Sequence, residues 1–267
     1  VSSVLNKILR TTRLEVENRE KLIPIEKLKN RNTPIRDIKS ALRKNGVSII
    51  AEIKRKSPSQ GIIRDDIDPV QMANIYQEND ASAISVLTDE PYFGGNLNLL
   101  QEIRASVELP ILRKDFIVSE YQVYESYHAG ADAILLIAEA LSPNELFNLY
   151  SLATSLGLHV LVEGYTNESI KTINELKPEI IGINARNLDM MEVDFNGMLA
   201  KRELLPRDAI TVAESGVQTP AQITKIYDAG YDAALIGTSL MKSEDPGKLL
   251  QSLINESESN EVLRDSV

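Results

Sequence analysis

The segment from Ile49 to Gly61, IIAEIKRKSPSQG, carries Glu52 and Lys54 two positions apart at the end of an apolar, strand-like run. Strand side chains alternate between faces, so Ile50, Glu52 and Lys54 share one face and Ala51 and Ile53 the other. Burial disfavours both charged forms, whereas an opposite neighbour restores them. The pair is either a structural ion pair or an acid–base site, and this strand alone leaves the choice open. Other apolar runs end in the same manner. Lys114 closes PILRK, Glu163 closes HVLVE, Asn184 and Arg186 follow EIIGI, and Glu214 and Ser215 close AITVAE. Any one of these charges could be a solvated rim residue. Six ionisable groups from five strand ends (Glu52, Lys54, Lys114, Glu163, Arg186, Glu214) read instead as chemistry. The chain has only two histidines, His128 and His159, so proton transfer near neutral pH rests on lysines and carboxylates with shifted pKa values. Acidic neighbours keep Lys54 and Lys114 protonated, which suits proton donation better than Schiff-base chemistry. No metal site is expected, because the carboxylates alternate with cations and no histidine closes a strand.

The elements that must position these groups repeat. ASAISVL from Ala81, ADAILLI from Ala131, EIIGIN from Glu179 and YDAALIG from Tyr231 begin roughly 50 residues apart. IIAEIK from Ile49, PILRK from Pro110, HVLVE from His159 and AITVAE from Ala209 lie between them, making eight strands. Helical spacing of apolar residues covers Pro69–Asn79, Asn96–Ser106, Ser119–Ala129, Ser142–Ser155, Asn167–Leu176 and Thr219–Ala229. Ser119 with Gln122 resembles a capping box, Ser142-Pro143 and Thr219-Pro220 place proline in the first turn, and Gly130, Gly157 and Gly230 sit where helices should stop. Near-continuous apolar strands alternating with helices predict a parallel sheet, and eight equivalent units favour a closed (β/α)8 TIM barrel over an open doubly wound sheet. The predicted division is a helical extension over residues 1–47, the barrel over 48–254 and a polar, fraying tail over 255–267. The extension reads as a cap over one end of the barrel, with help in closing the substrate site as a second role. Active sites of such barrels lie at the C-terminal strand ends, with a phosphate site in the loops after strands seven and eight. Those loops here hold Ser215, Gly216, Gly237 and Thr238, where glycine allows close approach of backbone N–H groups to an anion. Tight turns alone would also explain these glycines.

The formal net charge of −10 argues against nucleic acid or an anionic membrane as partner, though it leaves room for a local cationic pocket. The absence of cysteine rules out disulfides and thiolate chemistry and is compatible with the cytoplasm, the expected location. No apolar run approaches a membrane span, and VSSVLNKILRTTRLEVENREK is too charged for a signal peptide.

With these residues in view, the chain resembles the indole-3-glycerol phosphate synthase family. The resemblance rests on IIAEIKRKSPSQGIIRDD from Ile49, ASAISVLTDEPYFGG from Ala81 and LRKDFIVSEYQVYESYHAGADAILLI from Leu112. LVEGYT from Leu161, GINARNL from Gly182, VAESGV from Val212 and IGTSLM from Ile236 complete it, so nearly the whole chain is covered. The resemblance implies ring closure, decarboxylation and dehydration of 1-(2-carboxyphenylamino)-1-deoxyribulose 5-phosphate in tryptophan biosynthesis, with no metal or organic cofactor. By this likeness Lys114 matches the acid of ring closure, Lys54 is a candidate acid for dehydration, and Glu52 or Glu163 a candidate base. Glu163 could also hold Lys114 in position. Arg186, Asn184 and Ser57 match positions around the anthranilate carboxylate and ribulose hydroxyls, and Glu214 a polar substrate contact. Phe93, Phe116, Leu135, Leu188 and Ile236 match an apolar wall around the aromatic ring, although core packing would explain any one of them. Lys54, Ser215, Gly216, Gly237 and Thr238 match the phosphate site. One catalytic unit, working as a monomer on a small phosphosugar, is the expectation.

Three positions depart from the family pattern: Lys56 before the SPS turn, Gly164-Tyr165 after Glu163, and Ala185 between Asn184 and Arg186. None removes a charged group. Two other readings compete. A phosphoribosylanthranilate isomerase on the same fold needs an acid and a base but leaves SPSQG and LRKDF without a purpose. A silent barrel acting as a binding subunit would show losses among Lys54, Lys114 and Glu163, and all three are present.

Overall fold

SIIAEI, the first strand, is buried at every position. A strand covered on both faces has this composition because one row of side chains fills a barrel and the other meets surrounding helices. The computed structural model describes the backbone of residues 3–264 and the side chains of 3–257. Its barrel strands are β1 (Ser48–Ile53), β2 (Ala83–Leu87), β3 (Ile111–Lys114), β4 (Ala133–Ile137), β5 (His159–Gly164), β6 (Ile180–Asn184), β7 (Ile210–Glu214) and β8 (Ala233–Ile236). They pair in parallel in chain order, and β8 returns to β1 with Ala51 opposite Ile236. That closure makes the molecule a (β/α)8 barrel and excludes the open sheet.

The helices are α1 (Val4–Leu22), α2 (Ile38–Ala41), α3 (Pro69–Glu78), α4 (Glu90–Phe93), α5 (Leu97–Ser106) and α6 (Glu120–Ala129). After β4 come α7 (Pro143–Ser155), α8 (Asn167–Leu176), α9 (Phe195–Lys201), α10 (Pro220–Ala229), α11 (Thr238–Lys242) and α12 (Pro246–Arg264). Ser142 with Glu145 and Thr219 with Gln222 form capping boxes, and Gly130 and Gly230 end their helices at φ 89° and 86°. Ser119 caps α6 by accepting from the Gln122 backbone N–H, but the box is not completed. The Gln122 side chain accepts from Val118 N and donates to Phe116 O instead, tying down the loop after β3.

The ladder sorts inward side chains into layers drawn from alternate strands. Glu52 is level with Ser85 of β2, and Ser85 with Leu112, two residues before Lys114. Leu112 pairs with Ala133, which puts Lys114 level with Leu135, and Leu135 is level with Leu161, two residues before Glu163. Glu163 is level with Gly182, and Gly182 with Val212, two residues before Glu214. Glu214 is level with Leu235, and Leu235 with Ile50, two residues before Glu52. The odd strands therefore place Glu52, Lys114, Glu163 and Glu214 in one layer near the C-terminal mouth. Ser85, Leu135, Gly182 and Leu235 lie just beneath, and Ile50, Leu112, Leu161 and Val212 make an apolar floor below them.

The segment before β1 reaches both ends of the barrel. Helix α1 lies toward the catalytic end: Thr11 Oγ1 meets Tyr92 Oη at 3.0 Å, and Arg19 Nε donates to Glu125 Oε1 at 2.8 Å. The chain then passes beneath the barrel. Arg31 donates to the carbonyls of Ala131, Tyr127 and Gly130, and Ile38 and Leu42 of the α2 region join the interior cluster with Ile180 and Ile210. At the other terminus, helix α12 continues past Asn255. Ser257 is buried and accepts a hydrogen bond from Val47 N, so the segment read as a fraying tail begins as packed helix. Side chains from 258 onward and residues 265–267 lie outside the described residues.

Candidate active site

The strand pattern delivers the charged layer, and pairing within it sets its electrostatics. Lys114 Nζ lies 2.9 Å from Glu163 Oε2 and 3.3 Å from Glu214 Oε2. Lys54 Nζ donates to Glu52 Oε1 at 2.5 Å, just beyond the end of β1. Asn184 Nδ2 donates to Glu163 Oε1 at 2.9 Å, so both oxygens of Glu163 are engaged. Burial opposes the charge of Lys114, but the carboxylates of Glu163, Glu214 and Glu52 outweigh it and hold the ammonium well above the ordinary lysine range. Burial also opposes ionisation of Glu163, yet Lys114 and Asn184 hold its carboxyl low. Glu214 goes the other way: burial and the neighbouring charge of Glu163 push it well above the carboxylate range. Neither oxygen of Glu214 has a hydrogen-bond partner, and its Oε2 meets Lys114 Nζ at 3.3 Å without hydrogen-bond geometry.

The aromatic side of the site is held from behind. Arg113 points outward from β3, buried, and its guanidinium reaches Asp115 Oδ2 at 2.7 Å, Ser126 Oγ at 2.9 Å and Gln122 O at 3.0 Å. Asp115 Oδ1 accepts from Phe116 N at 2.8 Å, and Gln122 Nε2 donates to Phe116 O at 2.9 Å. Lys114 and Phe116 thus face the cavity with the residues between and behind them pinned. Phe93, on α4, meets Phe116 with ring centroids 6.1 Å apart. Arg186 lines the cavity, half-buried, with its backbone N–H on Asn184 Oδ1 at 2.9 Å and Nη1 on Met191 O at 3.0 Å. Desolvation lowers its pKa, and Glu52 partly restores it.

At the end formed by β7 and β8, Ser215 and Gly216 are consecutive left-handed residues at φ 68° and 85°. Serine rarely adopts this conformation, and the pair turns the chain sharply after Glu214. Gly237 precedes α11, and Ser239 Oγ ties that helix to Val217 O at 2.9 Å.

Every residue singled out from the sequence as a site candidate lines one cavity of about 520 Å³, including Ser57, Leu135, Leu188, Ile236 and Thr238. Lys242 and Met191 also line it and were not singled out. Lys242 sits at the end of a five-residue helix too short to show a period. Gly182 was missed as well. In sequence a glycine signals a turn, whereas this one lies mid-strand, where a Cβ would collide with Glu214 Oε1. The three departures acquire local reasons. Lys56 Nζ donates to Pro91 O of α4 at 3.2 Å. A Cβ at Gly164 would lie 2.7 Å from Ile173 Cδ1, so β5 and α8 pack closely there, and Tyr165 stacks under Lys201 Nζ at 4.3 Å from its ring centre. Ala185 is buried, and its N–H donates to Glu214 O at 2.8 Å.

Comparison with known proteins bears on this cavity. The model of a family described as indole-3-glycerol phosphate synthase matches residues 5–253. Curated relatives of that name include one from Salinibacter ruber, 43% identical over 94% of this chain and 95% of its own length. Another, from Dehalococcoides mccartyi, is 43% identical over 94% of this chain and all of its own, and one from Shouchella clausii is 40% identical over 97%. Among solved structures, 3-hexulose-6-phosphate synthase from Salmonella typhimurium superposes with a TM-score of 0.64 at 10% identity, covering 80% of this chain and 100% of that one. Tryptophan synthase subunit alpha from Legionella pneumophila gives 0.59 at 14% identity, covering 83% and 98%. At such identities these two share the fold alone.

Proposed function

The chain belongs to the indole-3-glycerol phosphate synthase family, and from that premise we propose how its own residues divide the work. It is a decarboxylating carbon–carbon lyase of tryptophan biosynthesis. The substrate phosphate lies at Ser215, Gly216, Gly237 and Thr238 with Lys54 nearby, and the anthranilate carboxylate pairs with Arg186, flanked by Asn184 and Ser57. The aromatic ring packs among Phe93, Phe116, Leu135, Leu188 and Ile236, and Glu214 is a polar contact below it. As the ring carbon bearing the carboxylate attacks the ribulose carbonyl, the oxygen gains negative charge, and Lys114 protonates it. Carbon dioxide leaves, and its bonding pair restores the aromatic ring. In dehydration Lys54 protonates the departing hydroxyl, a base removes the proton from the adjacent carbon, and the indole double bond forms.

Glu52 is the better candidate for that base. Both oxygens of Glu163 are engaged by Lys114 and Asn184, whereas among the described residues only one oxygen of Glu52 accepts a hydrogen bond. Glu163 then serves to hold Lys114. The observation that carries the reading is Lys114, half-buried and held cationic at 2.9 Å from Glu163 in a cavity with an aromatic wall.

The test is a fluorescence assay of indole formation from the carboxyphenylamino-deoxyribulose phosphate, with chelator present. Lys114→Ala is expected to lower kcat about 10²- to 10⁴-fold with the far-UV circular dichroism unchanged. Near-wild-type turnover of that variant would sink the assignment of Lys114 as acid. No turnover by the well-folded parent protein would sink the scheme as a whole. A cytoplasmic location belongs to the same proposal and rests on the family's biosynthetic role, and a monomeric state is proposed beside it. Among the described residues no helix is long and apolar enough to cross a membrane. Light scattering that gave twice 29.7 kDa would overturn the monomer.

A further inference from the structure

Two carboxylates of the charged layer occupy spaces left by glycines, Gly182 within β6 and Gly237 just past the end of β8. A Cβ at Gly182 would fall on Glu214 Oε1, and one at Gly237 would fall on Glu52 Oε1. Gly237 borders the phosphate end, so its substitution would disturb two things at once. Gly182 is cleaner. It lies mid-strand in β6, level with Glu163 on one side and Val212 on the other, in the layer just beneath Lys114. Its neighbours in that layer, Leu135 and Leu235, are large, and at Gly182 the layer has a gap. The Glu214 carboxyl dips into the gap, 1% exposed and without a hydrogen bond, and from there reaches Lys114 Nζ at 3.3 Å.

We propose that Gly182 is a positioning residue for the acid chemistry of Lys114: its missing side chain is the space that seats the Glu214 carboxyl beneath the ammonium. The inference rests on the assignment of Lys114 as acid. A methyl group at position 182 could be accommodated only by rotating the Glu214 carboxyl away, because Leu161 Cδ1, at 3.2 Å from the added Cβ, closes another direction. Rotation would leave Lys114 with Glu163 as its one close carboxylate partner.

The experiment is a double-mutant cycle over Gly182→Ala and Glu214→Ala, with kcat, KM and thermal unfolding measured for all four proteins. Gly182→Ala alone should lower kcat about tenfold or more. In the Glu214→Ala background, where nothing occupies the gap, it should change kcat by a factor close to one, and the unfolding midpoints should show the same non-additivity. A factor of equal size in both backgrounds would assign Gly182 to strand packing and overturn the proposal, as would a wild-type kcat for Gly182→Ala. If Gly182→Ala does not fold, a folded double variant with the kcat of Glu214→Ala supports the gap, and an unfolded double variant overturns it. The cycle reads the coupling of Gly182 to Glu214 whatever Lys114 does. Failure of the acid assignment would show separately, in Lys114→Ala.

Discussion

Lys114 keeps its charge in a place where burial opposes it, because Glu163, Glu214 and Glu52 surround it. An acid that must protonate a developing alkoxide has to arrive carrying its proton, and this setting secures that at neutral pH. In the proposed scheme Arg186 has a different task, recognising a planar carboxylate beside an aromatic ring. Its Nη1 is committed to Met191 O, and the residue lines the cavity. Lysine has the charge but not the planar fork. Arg186→Lys is expected to raise KM about tenfold with a smaller effect on kcat, measured by initial rates over a substrate range. An unchanged KM would mean that the carboxylate binds elsewhere. At this scale the sequence was informative because strand alternation says which side chains point inward, and Glu52, Lys114, Glu163 and Glu214 follow it. It was silent on Gly182, whose role is defined by an atom of another strand.

Helix α4 has four residues, too few for periodicity, yet it presents Phe93 to the cavity. Asp89 holds it: Oδ1 accepts from Tyr92 N at 2.8 Å and Phe93 N at 3.2 Å. Burial pushes the Asp89 carboxyl up to about 6, despite those bonds, with Asp115 and Glu15 adding to the rise. The folded protein therefore binds this proton more tightly than the unfolded chain. The cost of the buried charge is absent at low pH and grows as pH rises through the ordinary aspartate range to about 6. Asp89→Asn keeps an oxygen for the cap and removes the charge. It should stabilise the protein on the order of 1–3 kcal/mol at pH 8 and not at pH 4, by denaturant unfolding at the two values. A loss of stability at pH 8 would show that the charge itself is needed at the cap. The six helices between strands were readable from helical spacing, with proline, serine or glycine marking the ends of several. Gln122 was misread as half of a capping box because its alternative partners, Val118 N and Phe116 O, belong to a loop whose path is tertiary.

Across the whole molecule the N-terminal segment straps the barrel from the catalytic end to the opposite end. Arg31 is the rivet beneath. Its side chain is 3% exposed and donates to Ala131 O at 2.6 Å, Tyr127 O at 3.1 Å and Gly130 O at 3.2 Å, and it pairs with Asp132 at 3.3 Å. Asp132 is fully buried and shared with Arg104 at 2.7 Å. Arg31→Met should cost about 3–5 kcal/mol by stranding these acceptors, a fall of roughly 6–20 °C in Tm, with kcat and KM unchanged. A change in KM without a change in Tm would mean that the strap communicates with the mouth and does not merely bind the floor. The sequence placed this segment outside the repeat but at one end of the barrel. Its course along the side and under the floor depends on carbonyls exposed only once α6 has ended and β4 has begun.

The sequence by itself determined the eight strands, six of the helices between them and the identity of the charged residues at the strand ends. Those features depend on local period and local end signals, which a single chain displays in order. Only the tertiary structure decided which charges become partners. Closure of the barrel sets a stagger of two residues for every second strand, and that stagger puts Glu52, Lys114, Glu163 and Glu214 in one layer. It also decided that Glu163 is held ionised while Glu214, of the same residue type and in the same layer, is pushed toward the neutral acid. The difference comes from Lys114 and Asn184 bonding one carboxyl while burial and the charge of Glu163 act on the other, distances that no spacing along the chain contains.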